Sequence, residues 1–139
     1  MPLAVSIDES PSPEDINVIA QGMRRDALVH VGHDESQPLA AFARENGKVV
    51  GGAVARIIRG RMFVDLLWVE ETWRNRGVGS KVLEAMERLA RQRDCRDISL
   101  ETLSVDAARL YVASGYRLVA EVPDYLPGFA KHIFLKSLP

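Results

Sequence analysis

The chain lacks several features that would point to other classes of protein. It has one cysteine, Cys95, so it can form no internal disulfide, and a reducing compartment is the natural expectation. Its formal net charge is −1 with 27% charged residues, so no overall basic field draws it to nucleic acid or to an anionic membrane. It has neither a membrane-length apolar run nor a signal-peptide pattern at its start. We therefore expect a cytoplasmic protein that binds neither nucleic acid nor membrane.

Residue clusters typical of metal sites are also missing. His30 and His33 stand in a polar segment, and no cysteine or acidic cluster surrounds them at the spacing of metal ligands. We expect no metal site. Cys95 follows the basic end of a long helical pattern, and a small, partly buried residue is the expected role for it rather than a nucleophile.

What the chain does contain is enough for a core. It has 139 residues, of which 47% are hydrophobic, and this suits one globular domain over residues 1–139. Alternating residues predict a strand over 3–7, and Ser12 followed by Pro13 predicts the start of a helix. The Asn46-Gly47 pair predicts a hairpin. Further strands are expected over 39–44, 49–58, 62–69, 97–102, 117–122 and 130–136, the last two joined by a proline-rich loop.

Two helices are expected between these strands. The longer runs over about residues 77–93, where Glu87 and Arg91 should form an i, i+4 pair on the solvent side. The shorter has Ser104 as its N-cap, Asp106 in its first turn and Gly115 as a left-handed C-cap. An antiparallel meander that passes into a strand–helix–strand unit predicts a mixed α/β sheet covered by helices.

The turn before the longer helix carries the most chemistry. A buried strand ends at Val69, and apolar residues at helical spacing begin at Val78. A helix N-terminus presents unpaired N–H groups and a positive dipole end, and Gly77 and Gly79 lack the Cβ atoms that would keep a phosphate away. The segment is therefore predicted to bind a diphosphate. It differs from two other common phosphate loops, because it has neither the Walker spacing nor a third glycine at dinucleotide spacing.

Two patterns in this order resemble one family. The segment Arg74-x-x-Gly77-x-Gly79 resembles the pyrophosphate loop of the GNAT acetyltransferase superfamily, and the segment from Ala107 through Leu110-Tyr111 to Gly115-Tyr116 resembles its later motif. The resemblance implies a central, mostly antiparallel twisted sheet of about six or seven strands with splayed central strands, flanked by about four helices.

The resemblance also implies acetyl-CoA as co-substrate. Its pantetheine arm would enter between the splayed strands, the N–H of Val69 would polarise the thioester carbonyl, and the phenol of Tyr111 would donate a proton to the departing sulfur. The residues expected to contact the cofactor are Leu67, Trp68, Val69, Arg74, Asn75, Arg76, Gly77, Val78, Gly79, Ser80, Ser104, Ala107 and Tyr111.

The general base has four candidates. An alkylammonium has a pKa near 10, so a group must remove its proton before the nitrogen attacks. Asp65 lies four residues before Val69, which in a regular strand is the same face, although an ion pair with an arginine of an adjacent strand would also explain it. Glu101 ends the neighbouring strand near the expected splay, with surface exposure as its other explanation. Glu70 could point into the cleft from the opposite face, and a chain of water molecules is the remaining candidate.

The function implied is transfer of an acetyl group from acetyl-CoA to a primary amine of a small molecule or a protein by direct attack. The alternative is a non-catalytic acyl-CoA-binding module with a regulatory or interaction role. Segments 24–37 and 123–130 are expected to line the acceptor side. A homodimer is left open.

Overall fold

The computed structural model describes residues 2–31 and 38–139. The chain divides into two compact units, Met1–Asp34 and Glu35–Pro139. The first contains helix α1 (Pro13–Val31), and the predicted N-cap is confirmed because the Ser12 hydroxyl accepts a hydrogen bond from the Asp15 N–H at 3.1 Å. The strand predicted over 3–7 is wrong, since residues 2–8 form no strand. Alternation of residue types distinguishes the two faces of a strand, but a strand also requires a neighbouring strand to complete its hydrogen bonds. The polar segment 32–37, with His33, lies outside the described residues.

The second unit is built on a six-stranded sheet. The strand order is β1-β2-β3-β4-β6-β5, and every pairing is antiparallel except that of β3 with β4. The predicted hairpin turn is present, with Asn46 at φ 50° and Gly47 at φ 80°. The strands are β1 (Leu39–Glu45), β2 (Lys48–Ile58), β3 (Arg61–Val69), β4 (Asp97–Thr102), β5 (Arg117–Leu126) and β6 (Phe129–Ser137). The predicted mixed α/β class with a mostly antiparallel sheet is confirmed.

Two helices of this unit pack on the sheet. They are α2 (Val78–Gln92) and α3 (Val105–Ala113), and a 3-10 turn at Glu71–Trp73 precedes α2. The described residues thus hold three α-helices rather than about four. One face of α2 is buried through Val82, Leu83, Met86 and Ala90. These side chains join Met62, Ile98 and Phe134 of the sheet in one core, which fixes α2 and the strands that lie under it.

The solvent-side position predicted for Glu87 is wrong. Its side chain is 7% exposed, and its carboxylate pairs with Lys136 of β6 instead of Arg91. The same Lys136 ammonium donates to the Ser114 carbonyl oxygen at 2.9 Å, at the C-terminal end of α3. A buried carboxylate needs such a partner, and the pairing links α2, β6 and α3.

The end of the chain is more regular than expected. β5 continues to Leu126, and only Pro127 and Gly128 connect it to β6 where a longer loop was predicted. The β5–β6 register shifts between Val122 and Leu126 around Pro123, which has no N–H to donate. Proline is tolerated there because β5 is the edge strand.

Cys95 is buried, and burial raises the pKa of its thiol, in agreement with the structural role expected for it. Over the described part of the chain, no helix is long and apolar enough to cross a membrane. The same residues contain no group of three or more His, Cys, Asp or Glu side chains that could hold a metal ion.

Candidate active site

The site lies where β3 and β4 separate. Their parallel pairing runs from Arg61 opposite Asp97 to Val64 opposite Leu100 and ends there. Beyond that point β3 stays paired with β2 as far as Val69, while β4 stays paired with β6 as far as Thr102. The two strands therefore follow different neighbours and open a gap, as the expected splay requires.

A β-bulge at Asp65 marks the start of this gap. The β2–β3 register passes from Ala55 opposite Val64 to Val54 opposite Leu66, which leaves Asp65 as an extra residue on β3. A bulge bends its strand and increases the local twist. It also interrupts the two-residue alternation, so counting back from Val69 no longer assigns a face to Asp65.

The larger of two cavities here has a volume of about 1060 Å³ and is lined by β3, the β3–α2 loop, the first turn of α2, and α3. It brings together almost all the residues expected to contact a cofactor: Leu67, Trp68, Val69, Arg74, Asn75, Gly77, Val78, Gly79, Ser80, Ser104, Ala107 and Tyr111. The exception is Arg76, which does not line the cavity and whose guanidinium lies 5.1 Å from the centre of the Trp73 ring.

The N-terminus of α2 supplies the backbone donors of this cavity. The first intrahelical bond joins the Lys81 N–H to the Gly77 carbonyl oxygen at 3.1 Å. Among the described residues no side chain caps this helix, and its first turn contains no acid. Asn75 and Gly77 take left-handed conformations, with φ of 60° and 80°, which makes the loop concave. The N–H groups of residues 78–80 therefore form an anion-binding end.

Gly79 has a second role besides leaving room for a ligand. A Cβ atom there would lie 2.8 Å from Cδ2 of Leu110, so the glycine lets α3 approach α2. Gly77 differs, since a Cβ there would meet no protein atom within 4 Å, and within the protein the glycine is favoured by its positive φ. The two glycines of the motif are thus favoured for different physical reasons.

The end of β3 presents a backbone donor to the gap. The N–H of Glu70 donates to the Val50 carbonyl oxygen of β2 at 2.8 Å. Successive N–H groups of a strand point to opposite sides, so the N–H of Val69 points away from β2 and into the gap. The Val69 carbonyl oxygen accepts a hydrogen bond from Arg74 Nε at 2.9 Å, which ties the loop to the strand end.

Tyr111 lies on the wall that α3 contributes. Its side chain lines the larger cavity and is otherwise packed, with ring centres 5.6 Å from Phe134 and 6.2 Å from Tyr116. Burial raises the pKa of its phenol, so the hydroxyl keeps its proton at neutral pH. The predicted cap of α3 is confirmed, because the Ser104 hydroxyl accepts from the Ala107 N–H at 3.2 Å.

A smaller cavity of about 410 Å³ meets the larger one at the gap, and the two share Val64, Asp65 and residues 100–103. Two of the candidate bases, Asp65 and Glu101, lie at this junction. The Asp65 carboxylate accepts two hydrogen bonds from Arg56, at 2.7 and 3.0 Å, and these raise the pKa of the guanidinium. The predicted alternative of an ion pair is therefore present.

Glu101 has a different partner. Its Oε2 lies 2.6 Å from Lys131 Nζ, and this hydrogen bond raises the pKa of the ammonium. Lys131 also lies 4.6 Å from the centre of the Tyr125 ring. Sequence reasoning missed Lys131 because only the β4–β6 register, with Glu101 opposite Ile133, brings it to this cavity. No local pattern marks it. Tyr125, within the segment expected on the acceptor side, does line the cavity.

The chain belongs to the GNAT family of acetyltransferases, since residues 5–116 match the family described as Acetyltransferase (GNAT) family. It is 37% identical over 109 residues to blasticidin-S acetyltransferase of Streptomyces morookaense, covering 75% of this chain and 80% of that protein. It is 31% identical over 96 residues to an acetyltransferase of Agrobacterium fabrum, covering 68% and 70%. A crystal structure of an acetyltransferase from Bacillus cereus superposes with a TM-score of 0.87 at 26% identity, covering 96% and 98%.

These matches confirm the predicted family and the predicted enzyme class. The protein is an N-acetyltransferase, and acetyl-CoA is the donor used in its family. The alternative of a non-catalytic binding module is not favoured.

Proposed function

We propose that this enzyme acetylates the primary amine of a small molecule, with acetyl-CoA in the larger cavity and the amine in the smaller one. One observation carries this assignment: β3 and β4 part beside the uncapped N-terminus of α2, and two carboxylates stand at the junction of the cavities. A volume of about 410 Å³ suits a small molecule. The relative from Streptomyces morookaense, named for blasticidin S, supports the same class of acceptor.

The chain's backbone would hold the co-substrate. The N–H groups of Val78, Gly79 and Ser80 would bind its diphosphate, because they are the unpaired donors at the positive end of α2. The Val69 N–H faces the gap and would stabilise negative charge on the acyl oxygen. Acetyl-CoA supplies an acyl group already activated as a thioester. The remaining expected contacts come from the cavity walls, except that Arg76 would act through its packing on Trp73.

Tyr111 would provide the proton for the departing thiolate. It lines the larger cavity, and its raised pKa keeps a proton available across the neutral range. Its ring contacts with Phe134 and Tyr116 hold the side chain in place, so little conformational entropy is lost when it donates.

Glu101 is the better base of the two carboxylates at the junction. Both oxygens of Asp65 accept hydrogen bonds from Arg56, whereas the ion pair of Glu101 is a single short contact from Lys131 Nζ to Oε2. The Glu101 side chain is 50% exposed against 38% for Asp65, so its carboxylate is more accessible to the acceptor's ammonium. Asp65 would then contribute its negative charge to amine binding and leave the proton to Glu101.

Two broader inferences accompany this assignment. The family match spans both compact units, which supports residues 1–139 acting as one GNAT domain. The near-zero net charge and the single buried cysteine support a cytoplasmic enzyme with no nucleic-acid or membrane partner. Self-association is best settled by measuring the mass in solution.

The test is release of free CoA thiol by the full chain, with acetyl-CoA and a panel of small primary amines and short peptides. We expect thiol release that depends on a small amine, with the acetylated amine identified by mass spectrometry. Thiol release only with peptides would overturn the small-molecule assignment. Binding of CoA without thiol release on any amine would overturn the assignment of the cavities to catalysis.

A further inference from the structure

We propose that the acceptor is a zwitterion that carries a carboxylate a few bonds from its reactive amine, and that Lys131 binds this carboxylate. The inference rests on the proposed function, in which the smaller cavity receives the acceptor. It names the chemical class of that acceptor from the order of charges across the sheet.

Four charged side chains line the smaller cavity, and their order follows the strands. Asp65 of β3 and Glu101 of β4 flank the gap, while Arg56 of β2 and Lys131 of β6 stand one strand further out on either side. The two acids would attract an ammonium to the gap, where the acyl group is to be transferred. A negative charge on the acceptor is favoured only at the two outer positions, beside Arg56 or Lys131.

The balance of these charges selects against other amines. Two positive and two negative side chains give the cavity no net charge. A polyamine would place its second cation near Arg56 or Lys131, and like charges in a partly buried site cost free energy. A zwitterion would instead match both signs.

Lys131 is better placed than Arg56 to bind a carboxylate. Arg56 uses two of its nitrogens on Asp65, whereas Lys131 Nζ, with three donors, interacts with Glu101 and with Tyr125 and so keeps a donor for a ligand. Its side chain is 25% exposed, so a ligand can reach the ammonium while bulk water screens it only in part. The Tyr125 ring beside it restricts its motion.

The Glu101–Lys131 ion pair sets the separation within the acceptor. Glu101 Oε2 and Lys131 Nζ lie 2.6 Å apart. An ammonium bound to Glu101 and a carboxylate bound to Lys131 are therefore held close together, and the two ends of a short aliphatic amino acid can reach both.

The test compares acceptors that differ only in the anionic group. A series of ω-amino acids of increasing length is assayed beside amino alcohols of the same length, with thiol release giving kcat/KM for each. We expect wild-type enzyme to prefer the amino acids by about tenfold or more. Lys131→Met should remove this preference by lowering kcat/KM much more for the amino acids than for the amino alcohols, which also sense the lost partner of Glu101. Lys131→Arg should retain it, because the charge is kept.

Lys48→Met provides the matched control, because Lys48 is an exposed lysine in the β1–β2 hairpin that lines neither cavity. It should leave the preference unchanged. Equal use of both acceptor series by the wild-type enzyme would overturn the proposal, as would equal losses on both series in Lys131→Met. Thiol release with amino alcohols but no preference would refute only this inference, whereas no thiol release with any amine would refute the proposed function.

Discussion

The two cavities that meet at the gap are built from different parts of the polypeptide. The larger one uses backbone: the N–H groups at the start of α2, the end of β3, and a glycine that lets α3 approach. The smaller one uses side chains, in two ion pairs whose acids lie on the two central strands, β3 and β4, and whose cations lie on the outer strands, β2 and β6. Backbone donors depend on the path of the chain, so binding of the co-substrate should tolerate changes of loop side chains. Acceptor specificity depends on side chains, so one substitution can change it.

The largest expected effect is a difference in stability between two ion pairs. Glu87–Lys136 links α2 to α3, whereas Arg56–Asp65 lines the smaller cavity. Lys136→Met would leave the Glu87 carboxylate, 7% exposed, without its partner and would free the end of α3, so we expect a loss of about 3–5 kcal/mol of stability. Arg56→Met breaks a pair whose side chains are 48% and 38% exposed, so solvent screens the pair and the loss of stability should be much smaller.

Both free energies of unfolding come from urea titrations followed by circular dichroism. Similar losses in the two variants would contradict the distinction between a buried support and a solvent-screened pair.

This contrast also explains how much could be predicted from the sequence. The α2 loop and the cap of α3 are local, since Gly77 and Ser104 act within a few residues of their own positions, and their spacing is visible in the chain. The contact of Gly79 with Leu110 joins two helices and is not visible there. The pairing of Glu87 with Lys136 and of Glu101 with Lys131 depends on strand register, which local patterns do not contain.

Two other misses have the same kind of cause. Residues 3–7 alternate like a strand but form none, because a ladder needs a neighbouring strand that the pattern cannot specify. The bulge at Asp65 interrupts the alternation that the face assignment assumed. Local geometry was therefore predictable, and contacts between distant elements were not.

The next effect concerns the proton donor of the larger cavity. Tyr111→Phe should lower kcat by about 100-fold with little change in KM for acetyl-CoA, because the phenol acts on the leaving group and not on binding. Ring packing is retained in this variant, which makes it a matched control for structure. An unchanged kcat under conditions where chemistry limits the rate would exclude Tyr111 as the acid.

The pH dependence of the wild-type enzyme follows from the same residue. Burial raises the pKa of the Tyr111 phenol above the ordinary value of 10.0. The phenol therefore keeps its proton below pH 10.0. The stability gained by burying a neutral phenol is also fully present below pH 10.0, and it is lost only as the pH rises beyond that value. We expect no fall in kcat from this group between pH 7 and pH 10.0. A fall that Tyr111→Phe abolishes within that range would contradict the assignment.

A smaller effect separates the two carboxylates of the junction. Glu101→Gln should lower kcat/KM by about tenfold or more at neutral pH, and the deficit should shrink as the pH approaches the pKa of the amine, which then ionises in solution. Asp65→Asn should weaken amine binding and keep the wild-type pH profile. The measurement is a pair of pH–rate profiles. If Glu101→Gln also keeps the wild-type profile, ordered water becomes the base.

The central claim, that the N-terminus of α2 binds the diphosphate of acetyl-CoA, is tested most directly at Gly79. Gly79→Val alone would clash with Leu110, since its Cβ would lie 2.8 Å from Cδ2 of that residue. Leu110→Ala removes the clash, so Leu110→Ala and the double variant Gly79→Val/Leu110→Ala form a matched pair in which only the approach to the backbone differs.

Titration calorimetry of CoA with this pair gives the result. We predict that Leu110→Ala binds CoA within a few-fold of wild type, and that the double variant binds about 100-fold more weakly, which corresponds to about 2.8 kcal/mol. Equal affinities of the two variants, with both folded by circular dichroism, would show that the diphosphate does not lie on this helix end.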